Sequence, residues 1–381
     1  MLCRPIEGIR PDRFRPPHCP WSECPAHADR ARFRYRRHSS YRRGCDPRHK
    51  VPRFRCATCG RTFSRQSFAC SYYLKRPDLL APVAAGLVAG SAHRQLARSL
   101  GCAPSTVTRL AARIGRHCLL LHAMFLERID AIDEPVVLDH FETFVFSQDD
   151  RLGIATSIGQ RSWFAYGIQA APHRRSGRRS VRKRLVRRPL PTIPPGSVVR
   201  STIEALDLLV ARASKGLTLV SDDNPAYRAA VARHPASRTI LHRVYPNPAR
   251  DTATDRERAR ERDRQMGPAD TFHKLWRHSQ AHHRRETIAF GRRSNAVLER
   301  AALMVCWKNL VKGVSERRND RTTPAMRLGL TPRPWNWRDA FARRLFPGRI
   351  CVPESWIRIY RREWITPAVG RNVTHALRHA Y

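Results

Sequence analysis

Carboxylates and thiols are the residues whose types and spacing could do chemistry in this chain. The stretch 217–227 reads LTLVSDDNPAY: Leu217 to Val220 suit a buried strand, Asp222 and Asp223 follow, and Asn224-Pro225 ends the strand and can open a helix. Asp222 is thereby placed at the carboxyl end of a strand, where ligands gather in open α/β sheets. A second acid, Asp139, follows the strand-like Pro135–Leu138. Two carboxylates at one site repel unless cations separate them, which is how a two-metal site is built. The residues leave the third acid open. Asp270 follows Gly267-Pro268, a pair read as opening a helix, with Lys274, Arg277, Ala281 and Arg284 sharing its face. A carboxylate at the head of such a basic stripe can bind metal while the stripe holds DNA backbone. Glu286, among arginines, and Glu299, in the apolar helix SNAVLERAALMVCWKNLVK, are its rivals.

The thiols form two pairs, Cys19 and Cys24 in HCPWSECP and Cys56 and Cys59 in FRCATCGRTFS. Two pairs joined by one strand-compatible, Arg-rich loop (Arg30–Arg43) suit a tetrahedral structural Zn²⁺ site in a zinc ribbon, with His18 able to replace a ligand of the wider first pair. Four unliganded cysteines are the plainer alternative, but a segment with so few large apolar residues would hardly fold without metal. Cys3, Cys45 and Cys70 read as ordinary residues.

The elements that must position these groups fall into four segments: a ribbon at 1–75, a helical region at 78–130, a catalytic region at 132–315 and a basic, aromatic tail at 316–381. In the second, Ser91 can cap a helix that Gly101 ends, and Pro104-Ser105 opens another carrying Val107, Leu110, Ala111 and Ile114 on one side. Arg94, Ser105, Thr106, Thr108, Arg109 and Arg113 then face outward, a helix-turn-helix pattern suited to base and phosphate contacts, although an antiparallel helix pair reads much the same. In the third, strands at Pro135–Leu138, Thr143–Ser147 and Trp163–Ala170 precede a helix at Thr202–Ala213, a strand at Leu217–Val220, a helix at Pro225–Arg233 and a strand at Thr239–Val244. That is the order of an RNase H-like α/β sheet, in which the first and fourth strands are neighbours. The fold class is therefore multidomain α+β: zinc ribbon, helix-turn-helix, RNase H-like core.

Composition sets the partner. Lys and Arg number 72 against 31 Asp and Glu, a formal charge of +41, and most of the cations are Arg. Arg codon bias could supply part of this, but the surplus suggests a polyanion, with nucleic acid first. No stretch suits a signal peptide or a membrane span, so a cytoplasmic, nucleoid-associated location without membrane is expected.

These motifs resemble those of bacterial insertion-sequence DDE-type transposases, over roughly residues 19–330. LDHFETFV is similar to the family's first-acid strand, SDDNPAY to its SD-x-x-x-AY motif, and AFGRRSNAVLERAALMVCWKNLVK with TTPAM to its C-terminal helix. The resemblance picks Asp222 over Asp223 and puts the third acid on Asp270, where the family usually has Glu; His140 stands where members often carry Glu. It implies two Mg²⁺ ions on Asp139, Asp222 and Asp270, double-stranded DNA (element ends and target) as partner, a homo-oligomer, and cleavage at the ends by water followed by attack of the 3′-OH on target DNA. A non-catalytic DNA-binding regulator derived from such an element, and a nuclease of the same fold, are the competing expectations. Arg174–Arg188 is expected on backbone. Tyr227 and Trp276 read as packing residues, with base stacking as the other possibility. Trp335, Trp337, Trp356 and Trp364 read as covering the core edge, slightly ahead of forming a binding tail.

Overall fold

A computed structural model describes residues 13–44, 46–174, 195–248, 251–284, 287–369 and 371–375. The chain is a mixture of helices and two sheets. Strands β1 (Tyr35–Arg43), β2 (Asp46–Cys56) and β3 (Thr62–Ser64) form an antiparallel sheet in that order. Most of the expected Arg-rich loop is thus strand. It is held by its ladder to β2, and Phe33 and Tyr35 seat its start against Phe54 and Phe63. The small core here is Phe14, Phe33, Phe54, Phe63 and Phe68 around the cysteines, joined by Phe346 from the C-terminal segment.

Helices α1 (Leu80–Val88), α2 (His93–Ser99) and α3 (Pro104–Leu126) follow. Val107, Leu110, Ala111 and Ile114 face inward as their spacing predicts. The cap of α2 is Ala92, not Ser91: the Gln95 side chain reaches back and accepts the Ala92 N–H at 2.8 Å. The second helix continues far beyond a recognition helix, because its C-terminal half buries against α7 (Ser294–Leu310). At the crossing a Cβ on Gly115 would stand 2.3 Å from the Glu299 carbonyl oxygen, so only glycine lets the two backbones approach.

The larger sheet has the order β6-β5-β4-β7-β8, from β4 (Val136–Val145), β5 (Ser147–Gly159), β6 (Ala165–Arg174), β7 (Leu217–Ser221) and β8 (Ile240–Val244). The first three pair antiparallel; β4 with β7 and β7 with β8 pair parallel. The two short strands expected at Pro135–Leu138 and Thr143–Ser147 are one strand, and the next begins at Ser147. The polar residues between them read as a break, yet each finds a partner: His140 with Tyr227 and Ser201, Glu142 with His173. Asp139 therefore lies inside β4 rather than at its end. Helices α4 (Ser197–Val210) and α5 (Pro225–Arg233) connect β6 to β7 and β7 to β8.

Helix α6 (Ala253–Ser279) runs unbroken through Gly267-Pro268, so the helix expected to open there does not. An interior proline costs about 3 kcal/mol, and burial of Met266, Ala269, Phe272 and Trp276 outweighs it. Helix α8 (Glu354–Tyr360) completes the main core, which runs from Cys70 to Tyr360 and joins the helical region to the sheet. The C-terminal segment belongs to it: Trp335 and Trp356 are buried, Trp337 and Trp364 pack against it, and the Trp356 indole N–H donates to the Ile168 carbonyl at 2.9 Å. No helix among the described residues is long and apolar enough to cross a membrane.

Candidate functional site

Two potential metal centres stand out, built in opposite ways. In the first, Cys19, Cys24, Cys56 and Cys59 bring all four sulfurs within 4.8 Å of one another. Cys19 and Cys59 are 3.8 Å apart and Cys24 and Cys56 3.9 Å. A tetrahedron with metal–sulfur bonds of about 2.3 Å has edges of about 3.8 Å, so the cluster could hold a structural metal such as zinc. Each pair sits on a tight turn: the Cys24 N–H donates to Trp21, the His27 N–H to Cys24, and the Gly60 N–H to the Cys56 carbonyl at 3.0 Å, with Gly60 at φ +69°. Burial pushes the Cys19 and Cys24 thiols up. Burial also works against ionising Cys56, but the backbone N–H groups of Cys59 and Thr58 outweigh it and hold that thiol below its ordinary value. His18 is not a fourth ligand: its Nδ1 and that of His27 both turn to the Cys19 carbonyl, at 2.9 and 2.7 Å.

The second centre gathers three aspartates from three elements. The parallel register Val136↔Leu219, Val137↔Val220 carries on to set Asp139 beside Asp222, just past the end of β7. Asp222 Oδ1 accepts the Asn224 N–H at 3.1 Å in the turn that starts α5. Asp223 points elsewhere and pairs with Arg228. Along β4 the side chains alternate, so His140 meets Ser201 of α4 while Phe141 stacks on Trp276 of α6, ring centres 4.4 Å apart. Asp139 shares the α6 side, where His273 Nδ1 lies 3.4 Å from its Oδ2. Asp270 is one turn before His273 on the same helix and is held by Arg262. The Asp139 carboxyl is pushed up to about 7, first by burial, next by the charge of Asp222, and also by that of Asp270, against the relief of the His140 N–H and the Tyr227 hydroxyl. A site that penalises its own negative charge in this way is one a cation would stabilise. The three carboxylates spread more widely than the thiols: among the described residues only the cysteines form a group of three or more with every donor within 4.8 Å.

Glu299 is not part of this centre. It is buried on α7 with Arg362 and Arg116 as its ion-pair partners, at 3.0 and 3.7 Å, and burial pushes its carboxyl up to about 7. Glu286 lies outside the described residues, as does Arg174–Arg188 beyond its first residue. Tyr227 and Trp276 are both buried; Tyr227 packs on His140, and its hydroxyl is 3.3 Å from Asp139 Oδ1.

The expected basic stripe on α6 is broken. Lys274 is exposed, but Arg277 donates to the Glu142 carbonyl and covers the Phe141 ring. The helix stops at Ser279, where Gln280 takes an extended backbone and its side chain accepts the Trp276 indole N–H, so Arg284 lies beyond the helix near Gly90. On the helix pair, Arg94, Ser105 and Arg109 are exposed and Thr106 is half-buried. Thr108 is exposed with its hydroxyl on the Pro104 carbonyl. Arg113 does not face outward: its guanidinium donates to the carbonyls of Cys70 and Tyr72, at 3.2 and 2.6 Å, tying the segment after β3 to α3.

Sequence reasoning missed Arg262 and His273. His273 had a signal, since D-x-x-H puts both side chains on one helix face; Arg262 had none, because the helix carrying Asp270 was read as opening only at Gly267-Pro268. Compared with known proteins, the chain matches no family model and no curated sequence.

Proposed function

We propose that this protein is a DNA transposase of the DDE/DDD type, which cuts at the ends of an insertion element and joins the freed 3′-OH to target DNA. One observation carries the reading: three aspartates from a central strand, the end of its parallel neighbour and a packing helix come together, and the carboxyl of Asp139 is pushed up first by burial and then by the charges of Asp222 and Asp270. The order of three antiparallel strands followed by two parallel ones supports an RNase H-like core. Asp139 and Asp222 would hold one divalent ion, and Asp139 and Asp270 a second. Bound Mg²⁺ would supply charge neutralisation at the attacking and leaving oxygens. Tyr227 and the His140 N–H fix the Asp139 carboxylate, and Arg262 balances Asp270. The cysteine cluster would hold structural zinc, and the ribbon with Arg94, Ser105 and Arg109 would take up double-stranded element ends and target, the excess of 72 cations over 31 anions supplying affinity. A homo-oligomer would bring two ends together.

The ion pair of Asp270 with Arg262 favours a second reading, a DNA-binding regulator with an idle core. Strand transfer with DNA carrying the repeats that flank the coding sequence decides between them. Wild type should cleave and join with Mg²⁺, and Asp222→Asn should lower both by about 10³-fold or more, a few kcal/mol of barrier. Activity retained in D222N overturns the site; end binding without cleavage in the wild type favours the regulator; cleavage without joining favours a nuclease.

A further inference from the structure

We propose that His273, through Nδ1, is a ligand of the same divalent ion as Asp139, making the catalytic centre a mixed nitrogen and oxygen site that favours Mn²⁺ over Mg²⁺. The proposal rests on the metal-dependent reading above. Its ground is a hydrogen-bond chain that fixes the imidazole tautomer. The Thr156 hydroxyl has one hydrogen, and it donates this to the Asp139 carbonyl at 3.0 Å. Its oxygen therefore accepts from His273 Nε2–H, 2.8 Å away. With Nε2 carrying the proton, the neutral ring presents a bare lone pair at Nδ1, and this is the atom 3.4 Å from Asp139 Oδ2.

Two lone pairs facing each other need something positive between them. A proton on Asp139 is one solution and a shared cation is the other. Adjacent ligand atoms of an octahedral ion with bonds of about 2.1 Å stand roughly 3 Å apart, close to the spacing here. The ring is held for the task. Its Nε2–H is anchored on Thr156 of β5, its edge packs on Phe141, and it is half-buried on a helix whose next turn is locked by Trp276. An outer partner on the far nitrogen is the usual way a ligating histidine is oriented. Asp270 lies one turn earlier, so α6 would offer both an oxygen and a nitrogen donor. His140 cannot substitute, since both of its ring nitrogens are taken, by Tyr227 and Ser201 at 2.9 Å each. Imidazole prefers first-row transition ions, whereas carboxylates alone suit Mg²⁺.

The experiment is a Mn²⁺ titration of the full chain, with pulsed electron paramagnetic resonance to detect nitrogen bound to the ion. Wild type should show one nitrogen coupling. His273→Gln should lose it, bind Mn²⁺ about tenfold or more weakly, and lower the ratio of Mn²⁺- to Mg²⁺-supported cleavage. His273→Asn serves if the glutamine variant does not fold, and the wild-type spectrum decides even without a variant. Mn²⁺ bound without nitrogen coupling, or a coupling that persists in both variants, overturns the role of His273. In that outcome Asp139→Asn still weakens Mn²⁺, so the two-metal reading survives. Equal Mn²⁺ binding by wild type, D139N and D222N sinks both.

Discussion

The two candidate metal centres are made from opposite materials. The cysteine cluster draws its ligands from two short turns, closes them into a tetrahedron and buries them in a small phenylalanine core. The aspartate centre draws its carboxylates from residues scattered over about 130 positions, leaves them half open, and packs a histidine and an arginine among them. A closed site suits an ion that never leaves, because every position around it is taken by protein. An open one suits an ion that must share its shell with a substrate. The two also differ in what their surroundings could do without metal. The main core is large and continuous from Cys70 to Tyr360, whereas the cluster around the thiols has ten buried hydrophobic residues among those described, seven once Cys19, Cys24 and Cys56 are set aside, and one of the seven, Phe346, comes from the C-terminal segment.

The strongest test of that contrast is to remove metal from the closed site. If the thiols hold a structural metal as proposed, Cys56→Ser or chelation of that metal should cost the cysteine region several kcal/mol and open residues 13–70 to proteolysis, while the main thermal transition of the sheet and helices remains. A cysteine region that stays resistant to protease after its metal is removed would mean that the phenylalanines suffice.

A smaller effect should come from the open site as pH changes. The Asp139 carboxyl titrates near its ordinary value in the unfolded chain and at about 7 in the folded one. Below about 4 both states carry the proton. Between about 4 and 7 the folded state holds a proton that the unfolded chain has lost, so stability should fall as pH rises through this window and level off above it. Glu299, also near 7, contributes in the same direction, so the comparison to make is between wild type and Asp139→Asn. The variant should show a shallower decline in urea-unfolding midpoint from pH 4 to 7, with divalent ions chelated. An unchanged slope would mean that Asp139 is not penalised by its neighbours.

The smallest effect concerns the helix pair that lies between the two centres in sequence. Arg109→Ala should weaken binding of duplex DNA by roughly 1 kcal/mol and reduce the steepness of its salt dependence by about one, without changing stability. Arg113→Ala should do the reverse, lowering stability and leaving the salt slope alone, because its guanidinium holds backbone carbonyls. If the two variants behave alike in DNA binding, the outward face of α3 is not a DNA surface.

Some of this was legible in the residues. The cysteine spacing predicted a four-thiol cluster because its ligands come from local turns, whose geometry depends on few neighbours. The apolar periodicity of α3 and the limits of α5 were equally local. The line between legible and hidden follows partner distance. Asp139 was read as ending a strand because a polar run looks like a break when its partners, Tyr227, Ser201 and His173, are far along the chain. Pro268 was read as a helix start because its local penalty is visible and the burial that outweighs it is not.

What the sequence by itself determined, then, is the set of short-range structures: the cysteine turns, the strand-to-helix turn at Asp222, the helix pair and the strongly basic charge. Only the tertiary structure decided how long β4 and α6 run, that Glu299 serves a buried ion pair, that Arg113 braces the segment after β3, and that His273 and Arg262 stand beside the aspartates. The physical reason is the same in each case. A backbone preference is worth about 1 kcal/mol per residue, while packing a few large side chains or satisfying a buried polar group is worth more, and those terms are set by residues that meet only in three dimensions.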